Sequence, residues 1–208
     1  MPLRIAVLIS GGGSTLANLI RRIDDGLLRD VTIGLVVSSG SAVPGVGIAR
    51  EAGLALKIVH TKDSRTGPSF SARITELVDE ADVSLVVLAG FLHLWRFPAR
   101  YAGRVLNIHP ALLPAFGGRG MFGRRVHEAV LAAGAGESGC TVHIANLEYD
   151  QGPIVARARV ALRPDDTVAT LAERVQAAER ELYPEVIQRV AEHGLEWLRE
   201  RGAASADA

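Results

Sequence analysis

The fold of this chain is decided by LRIAVLISGGGSTLANLIRRIDDGLL, residues 3 to 28. Leu3–Ile9 is an apolar run with β-branched members, which favours an extended strand. It breaks at Ser10-Gly11-Gly12-Gly13-Ser14, and LANLIRRIDDGLL then spaces its apolar residues as a helix does. A strand, a glycine loop and a helix in that order open a βα unit.

The alternation continues outward. TIGLVVSS (32–39) reads as a second strand, VPGVGIAREAG (43–53) as a short helix stopped by glycine, and LALKIVH (54–60) as a third strand. SFSARITELVDEAD (69–82) carries helical spacing, and SLVVLAG (84–90) is apolar on both faces, as buried parallel strands are. A short helical connection around FPARYAG leads to a strand ending at His109. The predicted fold is a single-domain α/β, Rossmann-like arrangement, a mostly parallel central sheet flanked by helices with right-handed crossovers. Ligands in such sheets sit outside the carboxyl ends of the strands. Three unusual loops, 10–14, 90–95 and 107–123, are expected there.

Beyond them, CTVHIANLEYDQGPIVARARVAL (140–162) reads as two strands flanking the turn Tyr149-Asp150-Gln151-Gly152-Pro153. Val155, Arg157 and Arg159 alternate with Ala156, Ala158 and Val160, which predicts one solvated side. A last helix is predicted from an N-cap at Thr167 to about His193, with Pro184 marking a kink or a split into two helices. The domain is expected over 1–198, with 199–208 a disordered tail.

Composition narrows the function. The 208 residues are 48% hydrophobic, and 23 basic residues balance 23 acidic ones. A nucleic-acid surface would need a basic excess, so nucleic acid is not the expected partner. The single Cys140 excludes an intrachain disulfide and fits a reducing compartment. The first apolar run is too short to span a membrane and lacks a signal-peptide pattern, so a soluble cytoplasmic protein without membrane attachment is expected.

The chemistry-bearing residues stand at the strand ends. Asn107 and His109 are two apart, so in a strand they share a face, just before Pro110 ends it. An amide and an imidazole side by side can both donate to one developing oxyanion. Asp150 sits in a turn, where Asp is common for local reasons, or else is a carboxylate that raises the imidazole pKa and collects a proton. The glycine loop is either a tight turn or an anion site, since free N–H groups at a helix start point outward. It is neither a Walker A loop nor GxGxxG, because Leu16 stands where the third glycine would. His143 reads equally as structural or functional. His60, His93, His127 and His193 lack metal-ligand spacing, so no metal is expected. No Gly-x-Ser-x-Gly elbow is present. Cys140, Ile5, Leu8, Val86, Val87 and Leu88 are expected in the core.

Together LISGGGSTL, VVLAGFLHL, LNIHPALLP and LEYDQGPIV resemble, in order and over nearly the whole chain, the folate-dependent glycinamide ribonucleotide formyltransferases of purine biosynthesis. The resemblance implies formyl transfer from 10-formyltetrahydrofolate to the amine of glycinamide ribonucleotide, both small molecules, by a monomer or homodimer. It implies that Asn107 and His109 stabilise the tetrahedral adduct while Asp150 holds His109 charged and helps remove the amine proton. Gly11, Gly12, Gly13, Ser14 and Thr15 would hold the phosphate, and Glu179 would face the ribose or amine side. Arg65, Leu88, Gly90, Leu92, His93, Leu94, Trp95 and Asn107 would border the folate.

The chain departs from the family pattern at three places. Gly12 and Thr15 stand where Asn is common. Leu92-His93 replaces Met-Arg. FGGRGMFGRRVHEAV replaces a Pro-Gly-Leu-His pattern, with Arg124 or Arg125 available as positive charge. The competing readings are a formyltransferase for another amine, such as an amino sugar nucleotide, and a non-catalytic folate or nucleotide-binding module. A methionyl-tRNA formyltransferase would carry a further C-terminal domain, and a formyltetrahydrofolate hydrolase an N-terminal regulatory one.

Overall fold

The computed structural model describes residues 2–61 and 69–206. Among these residues seven strands form one sheet: β1 (Leu3–Ile9), β2 (Val31–Ser38), β3 (Leu56–Ile58), β4 (Leu85–Leu88), β5 (Val105–His109), β6 (Glu137–Ile144) and β7 (Ile154–Ala161). Their spatial order is β3-β2-β1-β4-β5-β6-β7. The pairs through β5 are parallel, and β6 and β7 are added antiparallel. The expected mostly parallel α/β sheet is therefore present. Sequence order reverses between β1 and β4, which opens a crevice at their carboxyl ends.

Side-chain parity sorts the core into two layers. Ile5, Val7 and Ile9 face one way, into a cluster with Leu16 and Leu19 of α1 (Ser14–Asp24) and Leu171, Val175 and Ile187 of α5 (Val168–Ala206). Ala6 and Leu8 face the other way, onto Ile74, Leu77 and Val78 of α3 (Phe70–Glu80). Burying each such side chain stabilises the fold by roughly 1.5–3 kcal/mol. The remaining helices are α2 (Pro44–Glu51) and α4 (Arg124–Ala132), and a 3-10 turn spans Ala99–Tyr101. β7 lies at the sheet edge with Arg157 and Arg159 exposed, the predicted solvated side. Charged side chains there discourage edge-to-edge pairing.

The structure differs from the sequence reading at three places. The sequence reading assigns no element to 124–132, where α4 forms with Val126 and Val130 on one buried stripe. The last helix passes through Pro184 and breaks instead at Gly194, whose φ is 77°. Proline removes the N–H that would bond the carbonyl four residues back, at Arg180. The Asn18 side-chain amide of α1 donates to that carbonyl at 2.9 Å, so the carbonyl keeps a partner. The segment after Leu198, expected as a disordered tail, is helical to Ala206, with Leu198 and Gly202 buried. The predicted cap does form, since the Thr170 N–H donates to Thr167 Oγ1 at 3.2 Å.

Candidate active site

β5 ends at His109, and its pleat places Asn107 and His109 on the α3 side of the sheet, the side Val105 packs into. The antiparallel register sets Asn107 opposite His143 and His109 opposite Thr141. Thr141 is spent on structure. Its hydroxyl donates to the Ala111 carbonyl at 2.7 Å and accepts from the Leu113 N–H at 3.0 Å, which pins the chain leaving His109. The loop between β6 and β7 then folds back and brings Asp150 to both β5 side chains. Gly152 permits this turn, because a Cβ there would lie 1.7 Å from the Ile144 carbonyl oxygen. Asp150 itself has φ 56°, a left-handed conformation that Asp tolerates better than most residues.

Asp150 is where the polar groups converge. One carboxylate oxygen lies 3.4 Å from His109 Nδ1 and accepts from the Gly118 N–H at 2.9 Å. The other accepts from Asn107 Nδ2 at 3.3 Å and lies 3.6 Å from His143 Nε2. His143 Nε2 is also 2.9 Å from Asn107 Nδ2, so two strands and a turn fix the amide. On its far side, His109 Nε2 is 2.8 Å from the Phe116 carbonyl. His109 is 3% exposed and His143 1%, so water screens these interactions poorly.

Burial shapes the titration. Desolvation pushes the His109 ring below the ordinary imidazole range, and the Asp150 charge and the Phe116 carbonyl oppose it without winning. Asp150 raises it, in the expected direction, while the net shift in the free protein is downward. For Asp150, burial alone would raise the carboxyl. The His143 hydrogen bond, the His109 charge and the Gly118 N–H together hold it below the usual carboxylate range. The carboxylate is therefore ionised and can accept a proton.

These groups open into a cavity of about 590 Å³. Gly11, Ser14 and Thr15 line it at the start of α1, and Glu179 lines it from α5. Leu88, Gly90, Leu92, His93, Leu94 and Trp95 form a further wall. Gly12 and Gly13 do not face the cavity. Gly13 is the α1 N-cap with φ 74°, and a Cβ there would come within 2.5 Å of Gly45 Cα. Arg65 lies outside the described residues. Burial pushes the Glu179 carboxyl up to about 7, against the pull of Arg180. His93, where the resemblance has arginine, packs edge-on against Phe70 and Phe91 at 5.3 and 5.8 Å. Neither Arg124 nor Arg125 lines the cavity: Arg124 pairs with Glu128, and Arg125 lies over the Phe122 ring. Arg119 does line it. Among the described residues there is no cluster of three or more His, Cys, Asp or Glu that could hold a metal. Nor is any of their helices long and apolar enough to cross a membrane.

The cavity lies at the strand carboxyl ends, with an amide, an imidazole and an ionised carboxylate meeting inside it, in a chain that has relatives among known proteins. The family model described as formyl transferase matches residues 3–187. The chain belongs to the formyl transferase family. Within that family it is 40% identical over 204 residues to a chloroplastic phosphoribosylglycinamide formyltransferase of Arabidopsis thaliana, covering 96% of this chain and 68% of that protein. It is 38% identical to the trifunctional purine biosynthetic protein adenosine-3 of Bos taurus, with 90% of this chain matched but only 18% of that larger protein. The glycinamide ribonucleotide transformylase 1 structure from Symbiobacterium toebii superposes with a TM-score of 0.83 at 35% identity, over 92% of this chain and 88% of that one.

His143, which the sequence leaves open between a structural and a functional role, belongs to the site. Strand parity puts it on the same face as Thr141, but its pairing with Asn107 depends on a register that the sequence does not display.

Proposed function

We infer that this protein transfers the formyl group of 10-formyltetrahydrofolate to the amine of glycinamide ribonucleotide. The observation that carries the reading is the meeting of Asn107, His109 and Asp150 in one cavity of a formyl transferase family chain. The family implies a folate co-substrate and small-molecule substrates. The relatives' names support glycinamide ribonucleotide as the acceptor, and the sequence resemblance supports 10-formyltetrahydrofolate as the donor.

In the proposed step the substrate amine attacks the formyl carbon. A C–N bond forms, and the carbonyl π electrons move to oxygen. The Asn107 amide and the His109 ring donate hydrogen bonds to that oxyanion, preorganised in a site shielded from water. The new ammonium loses its proton to Asp150, directly or through one water. The adduct then collapses, the bond from carbon to the folate N10 breaks, and N10 takes up a proton. Neutral His109 in the free protein has both ring nitrogens beside acceptors, the Asp150 carboxylate and the Phe116 carbonyl. Those two acceptors and the developing negative charge on the substrate all favour the protonated ring, against the burial that disfavours it in the free protein.

Ser14, Thr15 and the free N–H groups at the start of α1 receive the phosphate, where the helix dipole favours negative charge. Glu179 accepts from the ribose or amine side. Leu88, Gly90 and the wall through Trp95 receive the folate. The protein is read as working in the cytoplasm as a monomer or homodimer, without metal.

The test mixes the purified chain with 10-formyltetrahydrofolate and glycinamide ribonucleotide and follows deformylation by absorbance. Turnover that requires the ribonucleotide is expected. Formate release without it, or turnover only with an amino sugar nucleotide, overturns the reading.

A further inference from the structure

The two proposed substrates both carry negative charge, a phosphate on one and a glutamate on the other, yet the cavity lining is short of cations. Asp150 is ionised there, and Glu148 and Glu179 also line it. Among the described residues that line the cavity, Arg119 is the one lysine or arginine. The histidines do not make up the difference, because burial pushes His93, His109 and His127 below the ordinary imidazole range. Arg124 and Arg125, where the sequence suggests positive charge, are engaged outside the cavity by Glu128 and the Phe122 ring. Arg119 is exposed, and its guanidinium has no hydrogen bond, ion pair or ring contact among the described residues. An arginine that answers to no protein group is available to a ligand, and its planar fork fits a phosphate with two parallel hydrogen bonds.

Position selects the substrate. Gly118, one residue earlier, donates its N–H to Asp150 at 2.9 Å, so this loop starts at the reacting centre. Phe116 and Met121, on either side, pack against the core layer that α1 and α5 share, and α4 joins the same layer through Val126 and Val130. The wall assigned to the folate belongs to the opposite layer, through Phe91, Trp95 and Phe97. The loop that carries Arg119 is therefore anchored on the side of the glycine loop and Glu179. The glycine loop, Ser10 to Thr15, has no cationic side chain of its own.

We propose that Arg119 is a substrate-binding residue that pairs with the phosphate of the acceptor, supplying the cation that the glycine loop lacks. The inference rests on the formyl transfer reading of the cavity. It makes the choice of acceptor depend on a phosphomonoester, because an acceptor without one leaves the guanidinium unused. A contact to a group remote from the reacting carbon strengthens ground state and transition state alike, which appears in KM and not in kcat.

The test is Arg119→Gln, which keeps a polar side chain and deletes the charge, with Arg119→Lys beside it. Steady-state kinetics are measured for the full chain with glycinamide ribonucleotide and with its dephosphorylated form, glycinamide riboside, together with thermal midpoints. In Arg119→Gln, KM for the ribonucleotide is expected to rise about ten- to thirtyfold, with kcat and the folate KM within about twofold. With the riboside, variant and parent are expected to agree within about twofold in kcat/KM, because the partner of Arg119 is already gone. Arg119→Lys is expected to fall between, since it keeps the charge but not the fork. An unchanged ribonucleotide KM overturns the proposal. So does a rise in the folate KM instead, which would assign Arg119 to the donor's glutamate, and so does an equal loss with both acceptors, which would make its role structural. A parent chain that shows no transfer overturns the function and this inference together. A parent that transfers, with a variant that matches it, overturns this inference alone.

Discussion

Replacing Asp150 with Asn isolates the charge at the centre of the site. The side chain keeps its size, and Asn accepts a left-handed φ of 56° as readily as Asp does. What changes is the anion 3.4 Å from His109 Nδ1. Two unit charges at that distance interact by about 5 kcal/mol at an effective dielectric of 20, an upper bound before rearrangement of the surrounding dipoles. The amide also has one acceptor oxygen where the carboxylate has two, so it cannot serve both the Gly118 N–H and the Asn107 amide as Asp150 does. Loss of the proton acceptor and of imidazolium stabilisation together are expected to lower kcat/KM by about 10²- to 10³-fold, or about 2.7–4 kcal/mol of barrier. The assay is the initial rate of folate deformylation with both substrates saturating and then limiting, alongside a melting curve. A titration of the His109 ring by NMR is expected to move further down, because the one nearby anion that raises it is gone. A variant that melts like the parent and retains more than a tenth of its kcat/KM would refute the role given to this carboxylate.

Other outcomes follow from the same geometry. Glu179 has a folded pKa of about 7 against an ordinary 4.5, so between those values the folded chain keeps a proton that the unfolded chain has lost. Stability therefore falls as pH rises through that window, and Glu179→Gln is expected to melt like the parent at pH 5 but about 3 °C or more above it at pH 8. Equal melting curves at both pH values would count against the buried carboxyl. Gly152→Ala forces a methyl group against the Ile144 carbonyl, and we expect a loss of roughly 2–3 kcal/mol in denaturant unfolding, with kcat more than tenfold lower because Asp150 shifts. Since the proposed step needs only protein donors and acceptors, EDTA is expected to leave the rate unchanged. A rate that collapsed and returned with added metal would contradict this.

Much of the fold was legible because buried parallel strands appear as unbroken apolar runs. Leu85–Leu88 has no polar member to mislead the eye. α4 was missed because glycines and arginines precede it, and a stripe of two valines one turn apart is a weak signal in nine residues. The last helix continues through Pro184 for a reason local sequence cannot carry: Asn18, far away in the chain, satisfies the carbonyl that the proline orphans. At the site, period-two spacing was enough to put Asn107 and His109 on one face. Their meeting with Asp150 needs the β6–β7 turn, and the position of His143 needs the β5–β6 register, both set by long-range pairing. The sign of the His109 shift depends on how completely it is buried, which residue identity does not reveal.

The mixed sheet has a further consequence, for how the chain acquires its activity. Val142 meets Ala156 across a short connection, whereas Ile5 must find Leu85 at the far end of a long crossover. Hairpins close in about 1–10 μs, and pairings distant in sequence are intrinsically slower. Asp150 is thus expected to reach its turn well before β5 is seated beside β4 with Asn107 and His109 in place. A chain that has made its hairpin but not its central sheet holds a carboxylate with nothing to act on. In refolding, formyl transfer is expected to return with the slowest phase, after most of the secondary-structure signal has recovered.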